Sequence, residues 1–332
     1  MRLVNVIALT NGLLVNDPFV SNFTNIISEA KAVKRGDLFI AFDKTSIKEA
    51  IDNGAYGIIY DKPTKIIDSE IAWIKVDDVS DALKRLLRFK LVEKELQIFS
   101  VDEVTLKFAL QMMIDPKLVI VSGDIQNVFK VLWNLEAKTI VLFSPQLTDK
   151  DIFTNTKELL HYNDFSLQVS EHTLFESSFV YKEKLYERQM ISPLFIPYLE
   201  NLIAFLETHS IDFRLRKFTQ LSNFEALFVN KKLQVKEFGS SERVVIFEHN
   251  PALLEDEINF LQKNTPWANS IFLVPHTLEK DLVYSNLYSY KSTKGIFSIL
   301  KKHPFHFALI FGSDKSILEQ KPTQPTQLTL DF

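Results

Sequence analysis

The side chains in this sequence that could take part in catalysis or in ligand binding are a few acids, hydroxyls and histidines. Ser100, Asp102, Glu103 and Thr105 lie between an apolar run and a stretch with helical periodicity. A strand, a short loop and a helix in this order can hold an anion at the helix start. This loop has no glycine for close backbone approach and no lysine for a phosphate. Its two carboxylates would repel a nucleotide, so we interpret it as a degenerate phosphate loop in which Thr105 is either a metal-binding hydroxyl or a helix-start residue.

Other reactive patterns are weak. His303 and His306 are separated by Pro304, which disfavours a helix that would align both rings on a metal. The segments 239–243 and 312–315 are predicted to be loops, with anion binding as the alternative. The sequence contains no cysteine and no G-x-S-x-G or H-E-x-x-H motif. We therefore expect no metal, no cofactor and no catalytic residue that can be named.

Composition limits the class of protein. The 332 residues are 46% hydrophobic and 24% charged, which is typical of a globular chain. The net charge is −4, from 38 basic and 42 acidic residues, and this argues against direct binding of duplex nucleic acid. The first residues lack a signal-peptide pattern, and no apolar run reaches the length of a membrane span. We expect a cytoplasmic protein without a membrane span.

Alternating strand and helix patterns favour an α/β fold. They recur through residues 1–90, become less regular through 95–225, where 185–211 is predicted as two helices, and follow a β-α-β-α-β order with a parallel sheet in 226–318. The predicted domains are 1–92, 93–225 and 226–318, followed by an exposed tail at 319–332.

Three consecutive segments carry a family resemblance. They read VKRGDLFIAF at 33–42, EAIDNGAYGIIYDKP at 49–63 and AWIKVDDVSDALKRLL at 72–87. Their order and spacing resemble the N-terminal domain of the Mur ligases, of the type that adds D-alanyl-D-alanine to UDP-muramoyl tripeptide (MurF). The resemblance implies a Mur-ligase-like N-terminal α/β domain, a reduced central α/β domain in place of the ATPase domain, and a Rossmann-like C-terminal domain.

The resemblance also implies site residues. A D-S-R segment that helps hold the UDP part of the substrate corresponds to Glu29, Ala30 and Lys31, which keep the acid and the base but not the serine. The family's N-P pair corresponds to Asn250 and Pro251. The substrate-binding candidates are therefore Glu29, Lys31 and Asn250. The family's ATP-binding loop, G-T/S-x-G-K-T/S, would fall at 100–105, where its glycines and lysine are missing.

The last six residues, QLTLDF, resemble the hexapeptide by which bacterial proteins dock on the DNA polymerase sliding clamp. Gln327 would contact a pocket rim, and Leu328, Leu330 and Phe332 would fill apolar pockets. The proline- and threonine-rich residues before them are predicted to be extended. The alternative is a last edge strand packed on the body of the protein.

Three functional hypotheses follow. The first is a pseudoenzyme, a Mur-ligase-like protein of peptidoglycan (cell-wall) precursor synthesis that binds or scaffolds other synthesis proteins without ligating. The second is a bacterial protein that docks on the sliding clamp through its tail. The third is an active ATP-dependent Mur-type amide ligase, for which residues 100–105 are poorly suited.

Overall fold

The structure, a computed structural model, describes residues 1–159, 167–278 and 284–319. It divides into two compact units. The first contains Met1–His161 and Phe205–Arg214, and the second contains Tyr162–Ala204 and Leu215–Phe332. The division into three domains made from the sequence stays a prediction. No helix among the described residues is long and apolar enough to span a membrane.

The first unit begins with a five-stranded sheet and three helices. In chain order these elements are α1 Leu3–Thr10, β1 Leu13–Leu14, β2 Ile26–Ile27, β3 Leu38–Ile40, α2 Thr45–Asp52, β4 Gly57–Tyr60, β5 Ala72–Lys75 and α3 Val79–Val92. The strand order is β1-β5-β4-β3-β2. Only β1 is antiparallel to its neighbour. Every residue of β3 and β4 is buried, as expected for parallel strands covered on both faces.

The VKRGD motif forms the turn before β3. Gly36 has φ +96°, and a Cβ there would lie 2.7 Å from Thr24 Oγ1. The Asp37 carboxylate accepts a 2.9 Å hydrogen bond from the N–H of Lys34. Asp37 is 4% exposed, so its side chain is part of the turn and not of a surface. These residues therefore identify a fold and do not by themselves identify a ligand.

A second, four-stranded sheet follows in the same unit. The elements of this part of the chain are β6 Gln97–Ser100, α4 Glu103–Gln111, β7 Met113–Ile114, β8 Leu118–Val121, α5 Ile125–Leu132, β9 Ile140–Phe143 and β10 Thr156–Glu158, with a short 3-10 helix at Lys150–Ile152. The parallel order is β10-β6-β9-β8. One core cluster joins both sheets through α3 and α5, and it includes Ile74, Leu86, Leu132 and Phe143. The two sheets therefore pack as one body.

The second unit combines a small antiparallel sheet with a larger, mainly parallel one. The elements from this point of the chain are β11 Gln168–His172, β12 Ser177–Tyr181, β13 Lys184–Gln189, α6 Ile196–Thr208, β14 Phe213–Arg214, β15 Glu225–Val229, β16 Arg243–Glu248, α7 Leu254–Asn264, β17 Ser270–Pro275, β18 Leu287–Tyr290, α8 Thr293–Lys302, β19 Phe307–Phe311 and α9 Ser316–Glu319. Of these, the end of α6 from Phe205 and β14 belong to the first unit, where β14 pairs with β7. The larger sheet has the order β15-β16-β19-β17-β18, and only β15 is antiparallel. The predicted parallel β-α-β-α-β unit is confirmed.

Two local predictions are wrong. The first part of 185–211 is strand β13, which continues from β12 through a tight turn at Lys182 and Glu183. Both turn residues have positive φ, of 46° and 63°, as a two-residue hairpin requires. The sequence also predicts a helix over 251–264 with Pro251 in its first turn, but helix α7 begins at Leu254 and Pro251 lies in a separate turn before it.

Candidate functional site

The connection 100–105 has the predicted strand-loop-helix order, and its acids are engaged by the chain itself. Asp102 is the N-cap of α4: its Oδ1 accepts from the N–H of Thr105 at 2.8 Å and its Oδ2 from the Thr105 hydroxyl at 2.6 Å. Glu103 is 2% exposed and forms an ion pair with Lys107 one turn later. Ser100 Oγ lies 3.5 Å from the carbonyl oxygen of Lys157. A carboxylate thus takes the position that a phosphate oxygen would need at this helix start.

The other helices that follow parallel strands in the first unit begin in the same way. In each case an aspartate accepts a hydrogen bond from a backbone N–H of the first turn. The pairs are Asp43 with Ser46 before α2, Asp78 with Asp81 before α3 and Asp124 with Asn127 before α5, at 2.9, 2.7 and 2.8 Å. The Thr45 hydroxyl, 2.6 Å away, and the N–H of Ser46 lower the pKa of Asp43. The carboxyl ends of parallel strands are the usual ligand-binding edge of such sheets. Here the chain's own carboxylates occupy it.

A cleft of about 390 Å³ in the first unit brings two predicted substrate-binding residues together. Glu29 and Lys31 line one wall. Asp43, Ser46 and Glu49, from the start and the outer face of α2, line another. The cleft lies at the carboxyl end of β3 and includes Glu29 and Lys31, the residues that the resemblance implies for the UDP part of the substrate.

Helix α5 holds the wall that contains Glu29. Lys130 forms an ion pair with Glu29, and Gln126 Nε2 donates to the carbonyl of Ser28 at 3.2 Å. Trp133 Nε1 donates to Asn25 Oδ1 at 2.7 Å. The Glu29 carboxylate is 56% exposed, so its ion pair with Lys130 is screened by water and orients the side chain more than it stabilises the fold.

The charges left for a ligand in this cleft are one ammonium and one carboxylate. Glu29 is paired with Lys130, and Asp43 is held by Thr45 and Ser46. Lys31 and Glu49 are exposed, and neither forms an ion pair with any described residue. A ligand with a carboxylate or phosphate at one end and an ammonium at the other would match them.

Asn250, the third predicted substrate-binding residue, belongs to the second unit and is 7% exposed. Its N–H donates to Glu248 Oε1 at 2.6 Å, and its Oδ1 accepts from the N–H of Ala252 at 3.1 Å. Asn250 and the Pro251 turn therefore form the end of β16. Glu29 and Lys31 belong to the first unit.

Two buried glutamates at this turn were not singled out from the sequence. Glu248 accepts hydrogen bonds from Asn223 Nδ2 and from the N–H groups of Phe224, His249 and Asn250, at 2.6–3.1 Å. Glu257, on α7, is fully buried; its oxygens accept no hydrogen bond from a described residue, and its protonated carboxyl hydrogen-bonds with Glu248. Burial raises the pKa of Glu257 well above its usual value, and the negative charges of Glu248 and Asp256 raise it further. The sequence signal that could have indicated Glu248 is an acidic residue at the end of the apolar strand RVVIFE.

The remaining predicted residues lie outside this description. Gln327, Leu328, Leu330 and Phe332 fall beyond the described ranges. Among residues 1–159, 167–278 and 284–319, no group of three or more histidine, aspartate or glutamate side chains could hold a metal ion.

Comparison with known proteins rests on structure. No protein-family model matches the chain, and no curated protein sequence does. A crystal structure of MurF from Acinetobacter baumannii matches 95% of this chain and 96% of its own, at 11% identity and a TM-score of 0.50. The chain has the fold of a MurF ligase.

This comparison confirms the predicted MurF-type resemblance and the α/β fold class at the level of architecture. A MurF ligase from Thermotoga maritima, solved in complex with ADP, covers 89% of this chain and 95% of its own, at 12% identity and a TM-score of 0.47. At 11% identity, the match to the Acinetobacter structure shows a shared fold, and the chemistry is not carried over with it.

Proposed function

We propose that this protein is a non-ligating, MurF-like binding protein of cytoplasmic peptidoglycan precursor synthesis. The observation that carries the proposal is Asp102, whose carboxylate caps α4 where an ATP-dependent ligase would need backbone N–H groups and a lysine for phosphate. The buried Glu103–Lys107 pair adds a further acid beside the same helix start. A nucleotide brought to this position would meet negative charge.

The cleft with Lys31 and Glu49 is the proposed binding site. Its place at the carboxyl end of β3 and its content of Glu29 and Lys31 support a peptidoglycan precursor as its ligand. In this assignment the ammonium of Lys31 receives an anionic group of the precursor, and Glu49 receives a cationic one. The protein would thus hold the precursor, or present it to synthesis proteins, without joining it to a further amino acid.

Isothermal titration calorimetry tests both halves of the proposal. We expect UDP-muramoyl tripeptide to bind, and Lys31→Glu to weaken binding at least about tenfold, since one charge-assisted hydrogen bond is lost. Lys48→Glu is the matched control, because Lys48 is exposed on α2 and does not line the cleft. We expect no binding of Mg²⁺-ATP.

Two results would contradict the proposal. Micromolar, Mg²⁺-dependent ATP binding would restore the third hypothesis, an active ligase. Precursor binding that Lys31→Glu and Lys48→Glu weaken equally would remove the cleft as its site.

The tail sequence favours a second candidate function, docking on the DNA polymerase sliding clamp. The support is QLTLDF itself, with Gln327 and three apolar side chains at the spacing of the docking hexapeptide. In a pull-down with purified clamp, we expect the full chain to recover the clamp and a chain lacking 327–332 to lose it. Equal recovery by both chains would end this candidate.

A further inference from the structure

One end of the larger sheet in the second unit combines basic loops with exposed aromatic rings. Strands β16, β19 and β17 are parallel, so they begin at the same edge, at Arg243, Phe307 and Ser270. Antiparallel pairing of Val229 with Arg243 places the loop 230–242 at this edge. We call the segments 230–243, 263–270 and 301–307 the basic end.

Charge at the basic end is opposite in sign to that of the whole chain. These segments contain seven basic and two acidic residues, whereas the chain has a net charge of −4. Three of the lysines lie in or after the last turns of α7 and α8, where cations offset the helix dipole. The helix dipole does not account for the other four basic residues, which are Lys231, Lys232, Lys236 and Arg243. The three lysines are exposed, and the Arg243 guanidinium lies 5.3 Å from the ring centre of Phe305.

Two exposed aromatic rings at the basic end each pack against another aromatic ring. Trp267 is 72% exposed and Phe238 is 42% exposed. Trp267 contacts Phe307, with ring centres 6.3 Å apart, and Phe238 contacts Phe228 at 4.8 Å. The buried ring of Phe175 contacts both Phe307 and Phe228, so it connects the ring that packs against Trp267 with the ring that packs against Phe238.

His306 supplies a hydrogen-bond donor beside Trp267. Its Nδ1 accepts from the N–H of Asn269 at 2.9 Å, so in the neutral ring the proton is on Nε2. The ring centres of His306 and Trp267 are 5.6 Å apart. Strands β15 to β17 cross about 15 Å at the usual spacing of a sheet, so the basic end can contact several units of a polymer.

We propose that the basic end binds single-stranded nucleic acid. Cationic side chains that follow a phosphate backbone, together with aromatic faces on which bases stack, are the features that bind single strands without sequence preference. Trp267 and Phe238 provide the stacking faces, and the loop lysines and Arg243 meet the phosphates. An acidic polypeptide would satisfy the charges but would leave the two ring faces without stacking partners. This function is separate from the precursor cleft, which belongs to the first unit.

Fluorescence anisotropy with 5′-labelled oligo(dT) and oligo(rU) 12-mers tests the proposal. We expect binding that weakens with salt, with a slope of log affinity against log salt of about −2 to −3 for three to four phosphate contacts. Trp267→Ala should weaken binding about tenfold. Lys231→Glu with Lys232→Glu should reduce the slope by about 1.4.

The matched control is Lys291→Glu with Lys294→Glu, two exposed lysines at the opposite end of the same sheet, which should leave the slope unchanged.

Tryptophan emission gives a second measurement that needs no variant. Trp73 and Trp133 are buried, so quenching by the oligonucleotide reports Trp267.

Three outcomes would overturn the proposal. They are no binding of either 12-mer at about 50 mM salt, equal losses from the two double variants, and tighter binding of a labelled oligoglutamate than of the oligonucleotides.

Discussion

Glu257 is a residue whose charge state affects the stability of the second unit. Its carboxyl is fully buried, accepts no hydrogen bond from a described residue, and in its protonated form hydrogen-bonds with the carboxylate of Glu248. Burial and these neighbouring charges raise the pKa of Glu257 well above its usual value, so the folded state holds its proton at a pH where the unfolded chain has released it. Its contribution to stability is therefore complete below the unfolded pKa and is lost as the pH rises towards the folded pKa.

Replacing Glu257 by glutamine should reduce this pH dependence. At pH 8 we expect Glu257→Gln to raise the free energy of unfolding by about 1–3 kcal/mol, because the amide cannot ionise in the core. At pH 4 the variant and the parent should have similar urea midpoints, measured by far-ultraviolet circular dichroism.

Glu255→Gln is the control, since Glu255 lies exposed in the same first turn of α7. A gain from Glu257→Gln that is the same at pH 4 and pH 8 would show that proton binding is not its cause.

The starts of the helices determine whether the first unit can bind anions at its backbone N–H groups. Four helices there receive an aspartate carboxylate at a backbone N–H of the first turn. In α4 the aspartate also accepts from the Thr105 hydroxyl, so Thr105 is a partner of the cap and is 1% exposed. The sequence favours a solvated helix-start threonine, and Thr105 does lie in the first turn of α4, but it is buried and not solvated.

Asp102→Ala should destabilise the protein by about 1 kcal/mol, because the first turn of α4 loses its cap. The measurement is the urea midpoint at pH 7. Asp102→Ser retains a capping oxygen and should stay close to the parent. If both variants unfolded like the parent, Asp102 would not be acting as a cap, and the argument against nucleotide binding would lose its main support.

The parallel strands could be predicted because they are short apolar runs between clear turn signals. RVVIFE, SIFLVP and FALIFG are completely or almost completely buried, and their sequences show it. Strand β13 was misassigned because the cue was the backbone of Lys182 and Glu183, whose positive φ is not typical of these residue types. A hairpin turn with glycine or asparagine would have been recognised.

At the scale of the whole molecule, the sequence predicted the fold better than the site. Gly36, Gly54 and Asp37 are part of the resemblance, and in this chain both glycines have positive φ while Asp37 is hydrogen-bonded within the turn, so these residues serve the fold. The cleft could be predicted only in part. Glu29 and Lys31 came from the resemblance, whereas Glu49 and Gln126 reach it through the packing of α2 and α5. Asn250 was proposed as a substrate contact and is held in a turn by Glu248.

The two buried glutamates and the basic end could not have been derived from local sequence. Glu248 and Glu257 meet because α7 returns along the sheet, and the basic end gathers three segments up to seventy residues apart. Acidic residues between these segments, among them Glu255, Asp256 and Glu257, conceal the basic excess when charge is counted along the chain.

The aspartate cap of α4 has a consequence for redesign. Installing the glycines and lysine of a phosphate loop at 100–105 would leave the carboxylate of Asp102 on the helix start, so nucleotide and protein would compete for the same N–H groups. Removing Asp102 first would weaken α4 before any nucleotide could stabilise it. Neither change alone leads to ATP binding, and each alone carries a cost. A route from this chain to an ATP-dependent enzyme therefore requires several simultaneous substitutions, which makes the present state hard to reverse one residue at a time.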